Sequence, residues 1–233
     1  MINHLTYGGV STRDFNTWIS GEAVYDSPER DVSYIKVPGR SGDLVIDNKR
    51  YNNITIKYPA FIKRDFDRNF NALREYLYSV TGYQRITDTY HPDEFRMGMF
   101  SGQLSPKTTS ENREGTFELA FNCKPYRYLK SGEVSETFTA SGSILNRTLY
   151  DAAPLIRVYG KGNVGIGDKT IVIGKVNTYV DIDCETGEAY KVDANCNGDV
   201  TMPESVTLKP GLNGISLGTG ITKVEITPRW RTI

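Results

Sequence analysis

A two-residue alternation of apolar and polar side chains constrains the fold of this 233-residue chain more than any other feature. The alternation is clearest at residues 54–58, 117–123, 180–184 and 223–227. Successive side chains of a strand point to opposite faces of a sheet, so this period indicates strands with one buried face. The sequence therefore predicts a mainly β protein whose sheets pack against one another.

One segment departs from this period and predicts a helix over about residues 65–81. Phe66, Phe70, Leu73 and Leu77 recur at steps of four, three and four, which places them along one helical stripe. We expect Asp65 to cap the helix through its side chain and a left-handed Gly82 to end it. A helix of this length is marginal alone, so its stripe is expected to cover a sheet.

The segment 130–145 is rich in Ser, Thr, Gly and Glu and poor in large apolar residues, which favours a domain boundary. We predict an N-terminal domain over residues 1–135 and a C-terminal domain over residues 136–233. The chain is long enough for two such domains. After the boundary there are only short strands and turn signals, which predict a β-sandwich.

The overall composition argues against direct binding of nucleic acid or insertion into a membrane. Lys plus Arg equals Asp plus Glu at 28 each, so no global positive field is available to hold a phosphate backbone. The first residues lack the pattern of a secretory signal, and no apolar stretch approaches the ~18 residues that cross a bilayer. We expect a soluble protein made in a cytoplasm.

The three cysteines, Cys123, Cys184 and Cys196, have neither CxxC spacing nor an even count. Neither a disulfide framework nor a zinc site is indicated. Cys123 falls on the apolar face of a predicted strand, where a free thiol packs as a small apolar group.

Gly160, Gly162 and Gly165 match the GxGxxG spacing of dinucleotide-binding loops. That chemistry requires a helix to begin at the loop, because the helix N-terminus holds the pyrophosphate. The residues that follow, IGDKTIVIGKV, are β-branched and glycine-containing and have no helical stripe. We interpret the motif as a glycine-rich turn between strands, and predict no bound cofactor.

Residues 214–218, GISLG, match the GxSxG nucleophile elbow around Ser216. A hydrolase of that type needs a helix after the serine and a histidine later in the chain. Both histidines, His4 and His91, precede Ser216, and the following residues resemble a strand. No carboxylate pair stands out among the acids either. We predict that the protein is not an enzyme and has no catalytic residues.

Residues 193–204 match an EF-hand loop, with oxygen ligands at Asp193, Asn195, Asn197 and Glu204 and a glycine at Gly198. An EF-hand joins two helices, whereas the residues before the segment, EAYKV, alternate like a strand and those after it, SVTLKPG, contain a turn. We interpret the segment as a loop between strands and predict no metal site. Calcium binding stays an alternative, which titration calorimetry tests.

The segment 36–44, KVPGRSGDL, predicts a hairpin tip between strands at residues 34–37 and 44–46. Pro38, Gly39 and Gly42 form the turn, and Arg40 and Asp43 are expected to be exposed. A projecting tip of this kind suits assembly with another protein.

The order of several short motifs over nearly the whole chain resembles the distal tail protein family of long non-contractile bacteriophage tails. In the N-terminal half these residues are Pro28, Arg30, 37–42 (VPGRSG), 51–53 (YNN), Asp88, Pro92, 95–96 (FR) and 121–126 (FNCKPY). In the C-terminal half they are Pro154, Gly160, Gly162, 181–183 (DID), 188–190 (EAY), 208–213 (LKPGLN) and 228–230 (PRW).

The resemblance implies a belt-like N-terminal β-sandwich that carries a helix and a hairpin and assembles as a hexameric ring. It also implies a galectin-like C-terminal β-sandwich that projects outward to hold baseplate, tail-tip or receptor-binding proteins. On this basis we expect a structural hub at the virion's tail tip, assembled in the host cytoplasm. It would join the tail tube to the tip, and DNA would pass through the ring without specific binding. The family offers no catalytic residues to transfer.

The alternative that the sequence leaves open is a carbohydrate-binding module. Tyr and Trp side chains of the C-terminal sandwich could stack on sugar rings of the host cell wall. A binding titration with host wall polysaccharide tests this alternative.

Overall fold

A computed structural model of the chain describes residues 3–21, 24–109, 111–203 and 206–233. The chain divides into two compact units, and the division falls between Arg127 and Tyr128. This point lies inside a long strand, before the turn-rich segment in which the sequence places the boundary. The domain ranges 1–135 and 136–233 stay a prediction.

The first unit is built on one large sheet, a two-stranded hairpin and one α-helix. Its strands are β1 (Leu5–Tyr7), β2 (Val10–Ser11), β3 (Thr17–Ile19), β4 (Arg30–Ile35), β5 (Leu44–Tyr51), β6 (Ile54–Ile62), β7 (Gln84–Asp88), β8 (Glu94–Phe100), β9 (Lys107–Thr108) and β10 (Gly115–Leu129). The strand order of the large sheet is β2-β1-β7-β8-β10-β6-β3, and β9 pairs with β10. Short 3-10 helices span Thr12–Phe15, Lys130–Glu133 and Asn197–Asp199 along the chain.

Strands β6 and β10 are neighbours in the large sheet. They pair antiparallel from Ile54 opposite Cys123 to Ile62 opposite Gly115. Their inward side chains alternate with exposed ones, as the two-residue period predicts, and Leu119, Phe121 and Cys123 are fully buried.

Helix α1 (Phe66–Ser79) covers this sheet with its apolar stripe. Phe66, Phe70, Leu73 and Leu77 are all buried, as predicted. The ring of Phe70 stacks on that of Phe66, with 5.0 Å between centroids, and meets Phe117 of β10 edge-on at 5.1 Å. Aromatic packing therefore fixes the helix on the sheet.

The sequence predicted wrongly how this helix begins and how it ends. Asp65 precedes the helix, but its backbone is left-handed (φ 50°) and its side chain makes no capping hydrogen bond. Its carbonyl oxygen accepts from the Asn69 N–H at 3.1 Å instead. The helix ends at Ser79 because Val80 is extended, and the left-handed Gly82 (φ 70°) lies beyond that end.

The second unit is a sandwich of two antiparallel sheets. Its strands are β11 (Glu136–Phe138), β12 (Gly142–Asn146), β13 (Leu155–Gly160), β14 (Gly162–Ile166), β15 (Lys169–Ile173), β16 (Val180–Asp183), β17 (Glu188–Lys191), β18 (Ala194–Asn195), β19 (Val200–Thr201), β20 (Gly211–Leu217) and β21 (Ile221–Thr227). The last strand of the chain, β22 (Arg231–Thr232), pairs with β10 and lies in neither sheet of the sandwich. One sheet has six strands in the order β11-β21-β13-β16-β17-β18, and the other has five in the order β12-β20-β14-β15-β19.

The core of the sandwich consists of aliphatic side chains from the inner faces of both sheets, including the fully buried Ile156, Val164 and Val224. The structure thus confirms the predicted mainly β fold. Within the described residues α1 is its single α-helix.

Candidate assembly interface

The hairpin of β4 and β5 stands apart from the large sheet of the first unit. The two strands pair with each other and form a separate two-stranded antiparallel sheet. Every residue from 33 to 50 is exposed, so this part of the hairpin adds nothing to the hydrophobic core. An isolated two-stranded hairpin is marginally stable in water, so this one is a candidate for contact with another chain.

Both faces of the hairpin are apolar near its tip. Tyr34 and Val45 are opposite each other on one face and are 64% and 54% exposed. On the other face Ile35 and Leu44 are opposite each other, next to Ile46, with exposures of 43–45%. Monomeric proteins rarely expose contiguous apolar surface of this kind, and such surface commonly marks a protein interface.

The base of the hairpin is polar and held by ion pairs. Arg30 donates to Asp47 at 3.2 Å, and Arg50 donates to Asp31 at 2.5 Å. Hydrogen bonds from Arg50 and Asn48 lower the pKa of Asp31. The cross-strand register shifts between Arg30 and Val32, which adds a local irregularity at this end. The paired charges therefore lie at the base, and the exposed apolar side chains lie between the base and the turn at the tip.

The tip has the turn that the sequence predicts. Gly39 and Gly42 have φ values of 78° and 84°, which residues with a Cβ rarely adopt. The Arg40 N–H donates to the Val37 carbonyl at 3.2 Å. Arg40 and Asp43 are both exposed, as expected.

Sequence reasoning missed the apolar side chains of β5. Leu44, Val45 and Ile46 are consecutive, so a strand must place apolar side chains on both of its faces. That run was the available signal, because a strand packed on one core needs only one apolar face.

The first two glycines of the GxGxxG motif, Gly160 and Gly162, lie at a corner of the sandwich where the chain passes from one sheet to the other. Gly160 ends β13 and Gly162 begins β14, and the neighbouring segment around Gly220 makes the reverse passage from β20 to β21. A Cβ on Gly160 would lie 2.1 Å from the Gly220 carbonyl oxygen, and one on Gly162 would lie 2.4 Å from the Thr219 carbonyl oxygen. The motif therefore serves the close approach of two backbone segments. A strand, not a helix, follows it.

Ser216 of the GxSxG motif lies inside strand β20, directly opposite Gly165 of β14. Strand β21 follows this segment, and no helix begins at the serine. His4 and His91 both belong to the first unit. The geometry of a nucleophile elbow is absent from this part of the described chain.

The amide oxygens of the EF-hand-like segment accept hydrogen bonds from backbone N–H groups. Asn195 Oδ1 accepts from the Asn197 N–H at 2.9 Å, and Asn197 Oδ1 accepts from the Ala189 N–H at 2.6 Å. Glu204, the last position of the EF-hand pattern, lies outside the described residues. The described residues contain no cluster of three or more His, Cys, Asp or Glu side chains that could hold a metal ion.

Basic side chains lie over aromatic rings on the outer face of the six-stranded sheet. Arg157 and Lys191 lie over Tyr179, 4.3 Å and 5.1 Å from its centroid, and Lys223 lies 4.0 Å from the centroid of Tyr159. Arg157 also forms a bidentate pair with Asp181, at 2.7 and 2.9 Å. These contacts occupy surfaces on which a sugar ring would stack.

Comparisons with known proteins connect this architecture to phage tails. Residues 13–123 match the family described as the phage tail protein RIFT-related domain. No curated protein matches the chain. Among the described residues, no helix combines the length and the apolar character needed to cross a membrane.

Two solved structures are similar over nearly the whole chain. The SPP1 Dit (gp 19.1) protein, described as a paradigm of the hub adsorption apparatus in phages that infect Gram-positive bacteria, has a TM-score of 0.75 at 14% identity, with full coverage of both chains. A chain of the phage P2 baseplate in its activated conformation with Ca has a TM-score of 0.52 at 9% identity, covering 97% of this chain and 98% of that one. The family match and the SPP1 Dit fold confirm the predicted resemblance to distal tail proteins.

Proposed function

We propose that this chain is a structural hub protein of a long non-contractile phage tail, whose copies form a hexameric ring through their N-terminal units. The ring would join the tail tube to the tip, and its C-terminal sandwiches would hold baseplate or receptor-binding proteins. Assembly would take place in the host cytoplasm before the hub enters the virion.

The exposed hairpin carries the proposal. It belongs to the segment that matches a phage tail domain, and its tip exposes apolar residues on both faces. A ring contact is heterologous, because one subunit's projection meets a different surface of the next, and such contacts close after a fixed rotation. A hairpin that does not pack on the core of its own subunit is suited to be that projection.

The charge balance is compatible with passage of DNA. The chain carries 28 basic and 28 acidic residues. A neutral ring does not retain phosphate backbones through counterion release, which requires an excess of Lys and Arg at the contact.

The experiment that tests the ring compares two variants by sedimentation velocity. Ile35→Ser with Ile46→Ser removes apolar surface from one face of the hairpin and is expected to reduce the ring in favour of monomer. Val134→Ser changes a residue of the second unit that is 68% exposed, and it should leave the ring intact. A hairpin variant that forms rings as well as the unaltered chain would contradict this role.

The carbohydrate-binding alternative remains a separate proposal for the C-terminal sandwich. Its support is the pair of tyrosines on one outer face, Tyr159 and Tyr179, whose rings are 5.8 Å apart. Because cations cover these rings, stacking on a sugar would require those side chains to move. A titration with host wall polysaccharide, repeated with Tyr179→Ala, tests it. Absence of binding would retire this alternative without affecting the ring.

A further inference from the structure

The two outer faces of the C-terminal sandwich differ sharply in charge. The outward positions of the six-stranded sheet include Arg157, Asp181, Lys223 and Glu225, which form ion pairs with one another. The outward positions of the five-stranded sheet contain no charged side chain among the described residues. They are Ser143, Leu145, Asn163, Gly165, Thr170, Val172, Thr201, Leu212, Gly214 and Ser216. We call these ten residues the uncharged face.

The uncharged face is open to solvent and carries aliphatic anchors. Leu145 and Leu212 are cross-strand partners on β12 and β20, with exposures of 43% and 73%. Val172 on β15 is 41% exposed. The other members are glycines or small polar residues, so the surface between these anchors is flat.

Charges reappear where the strands of this sheet end. The turns carry Arg147, Lys161, Asp168, Lys175 and Lys209, all of which are exposed. Asp168 and Lys209 pair there at 3.3 Å. An uncharged centre with a charged rim is the arrangement found in protein interfaces, whose cores are depleted of charge.

The area of the face is of the size that an interface centre requires. Five strands about 4.8 Å apart, most of them five or more residues long at about 3.3 Å per residue, span roughly 20 Å by 17 Å. A standard interface buries about 800 Å² per partner, of which the rim is a substantial part. At roughly 340 Å², the uncharged face would supply a little under half of that area as the interface centre, and the charged turns around it would supply the rim.

We propose that the uncharged face docks another protein of the virion through a surface that is itself uncharged and rich in apolar side chains. The electrostatic match decides the class of partner, because a charged group buried against this face would find no counter-charge. For the same reason a phosphate backbone is disfavoured. This inference rests on the proposed function and adds to it the surface of the C-terminal sandwich that holds a tip component.

The test supplies variants in trans to a phage that lacks this gene and measures the protein composition of purified tails by quantitative mass spectrometry. Leu212→Lys places an unpaired charge on the face, and a buried unpaired charge weakens an interface by about thirtyfold or more. We expect one other tip protein to be depleted from these tails. Thr137→Lys adds the same charge to an exposed position opposite Glu225 on the charged face, and should leave the composition unchanged.

Sedimentation of the same variants separates this inference from the ring. The Leu212→Lys chain is expected to form rings as the unaltered chain does. If neither chain forms rings, the result counts against the proposed ring and not against the docking surface. If Leu212→Lys does not fold, Leu212→Ser replaces it, with a smaller depletion expected. Tails of normal composition with either variant would overturn the inference. Loss of wall-polysaccharide binding at unchanged tail composition would overturn it as well, by assigning the face to a saccharide.

Discussion

Replacing Gly160 by alanine is expected to destabilise the C-terminal sandwich strongly, because two independent costs fall on one methyl group. The backbone of Gly160 has φ 102°, a region that is essentially restricted to glycine and costs other residues about 1–3 kcal/mol. The added Cβ would also lie 2.1 Å from the Gly220 carbonyl oxygen, so one of the two backbone segments must shift.

The neighbouring segment has little room to yield. Gly220 itself has φ 90°, and a Cβ there would lie 2.4 Å from the Lys161 carbonyl oxygen. Backbone shifts forced by overpacking cost about 1–3 kcal/mol, so we expect the free energy of unfolding to fall by about 2–6 kcal/mol in total.

Urea unfolding followed by circular dichroism and tryptophan fluorescence measures this loss. Gly214→Ala is the matched control, because Gly214 lacks a positive φ and a Cβ there would meet no atom within 4 Å. That control should stay within about 1 kcal/mol of the unaltered protein. A Gly160→Ala protein as stable as Gly214→Ala would refute the argument that the glycine motif serves backbone packing.

Three further predictions concern the cores and their charges. Phe70→Ala should lower the free energy of unfolding by about 3–5 kcal/mol in urea titrations, because the ring is buried between two others; a loss below 1 kcal/mol would contradict that packing. Burial opposes the charge of Asp183, but hydrogen bonds from Arg229 at 2.8 and 2.9 Å outweigh it and lower its pKa. The pair therefore stabilises the fold above the unfolded-state pKa of about 4, and this stability is lost as the pH falls through the lower folded-state pKa. Asp183→Asn should cost about 1.5–3 kcal/mol at pH 7 and much less near pH 2, and an equal cost at both would be inconsistent with the pair. Burial raises the pKa of Cys123 from 9.0 to about 11 and that of Cys184 from 9.0 to about 12. Because the thiolate is the reactive form, Cys123 should react with a disulfide reagent at pH 8 about 100-fold more slowly in the native than in the unfolded protein, and Cys184 about 1000-fold more slowly. Equal rates would show that they are not protected.

The sequence predicted the features that depend on local period. The helical stripe of Phe66 to Leu77 and the alternation around Cys123 both depend on neighbours within one element, and the structure buries them as expected. The helix cap was not predictable in this way, because a side-chain cap depends on backbone angles, and Asp65 adopts left-handed ones.

Tertiary neighbours explain what the sequence did not reveal. Leu145 and Leu212 are distant in the chain, and only the register of β12 with β20 places them side by side on one exposed face. Gly160 matched a cofactor motif because a dinucleotide-binding loop and this corner of the sandwich both need a residue without a Cβ. The position of the Gly220 backbone against Gly160 shows that the glycine serves backbone packing.

The most direct test of the central claim is the mass of the full chain in solution, measured by sedimentation equilibrium at micromolar concentration. A hexameric hub would have six times the chain's mass of 26.1 kDa and would be visible as a ring in electron micrographs. A species of 26.1 kDa that stays monomeric, even when purified tail tubes are added, would contradict it.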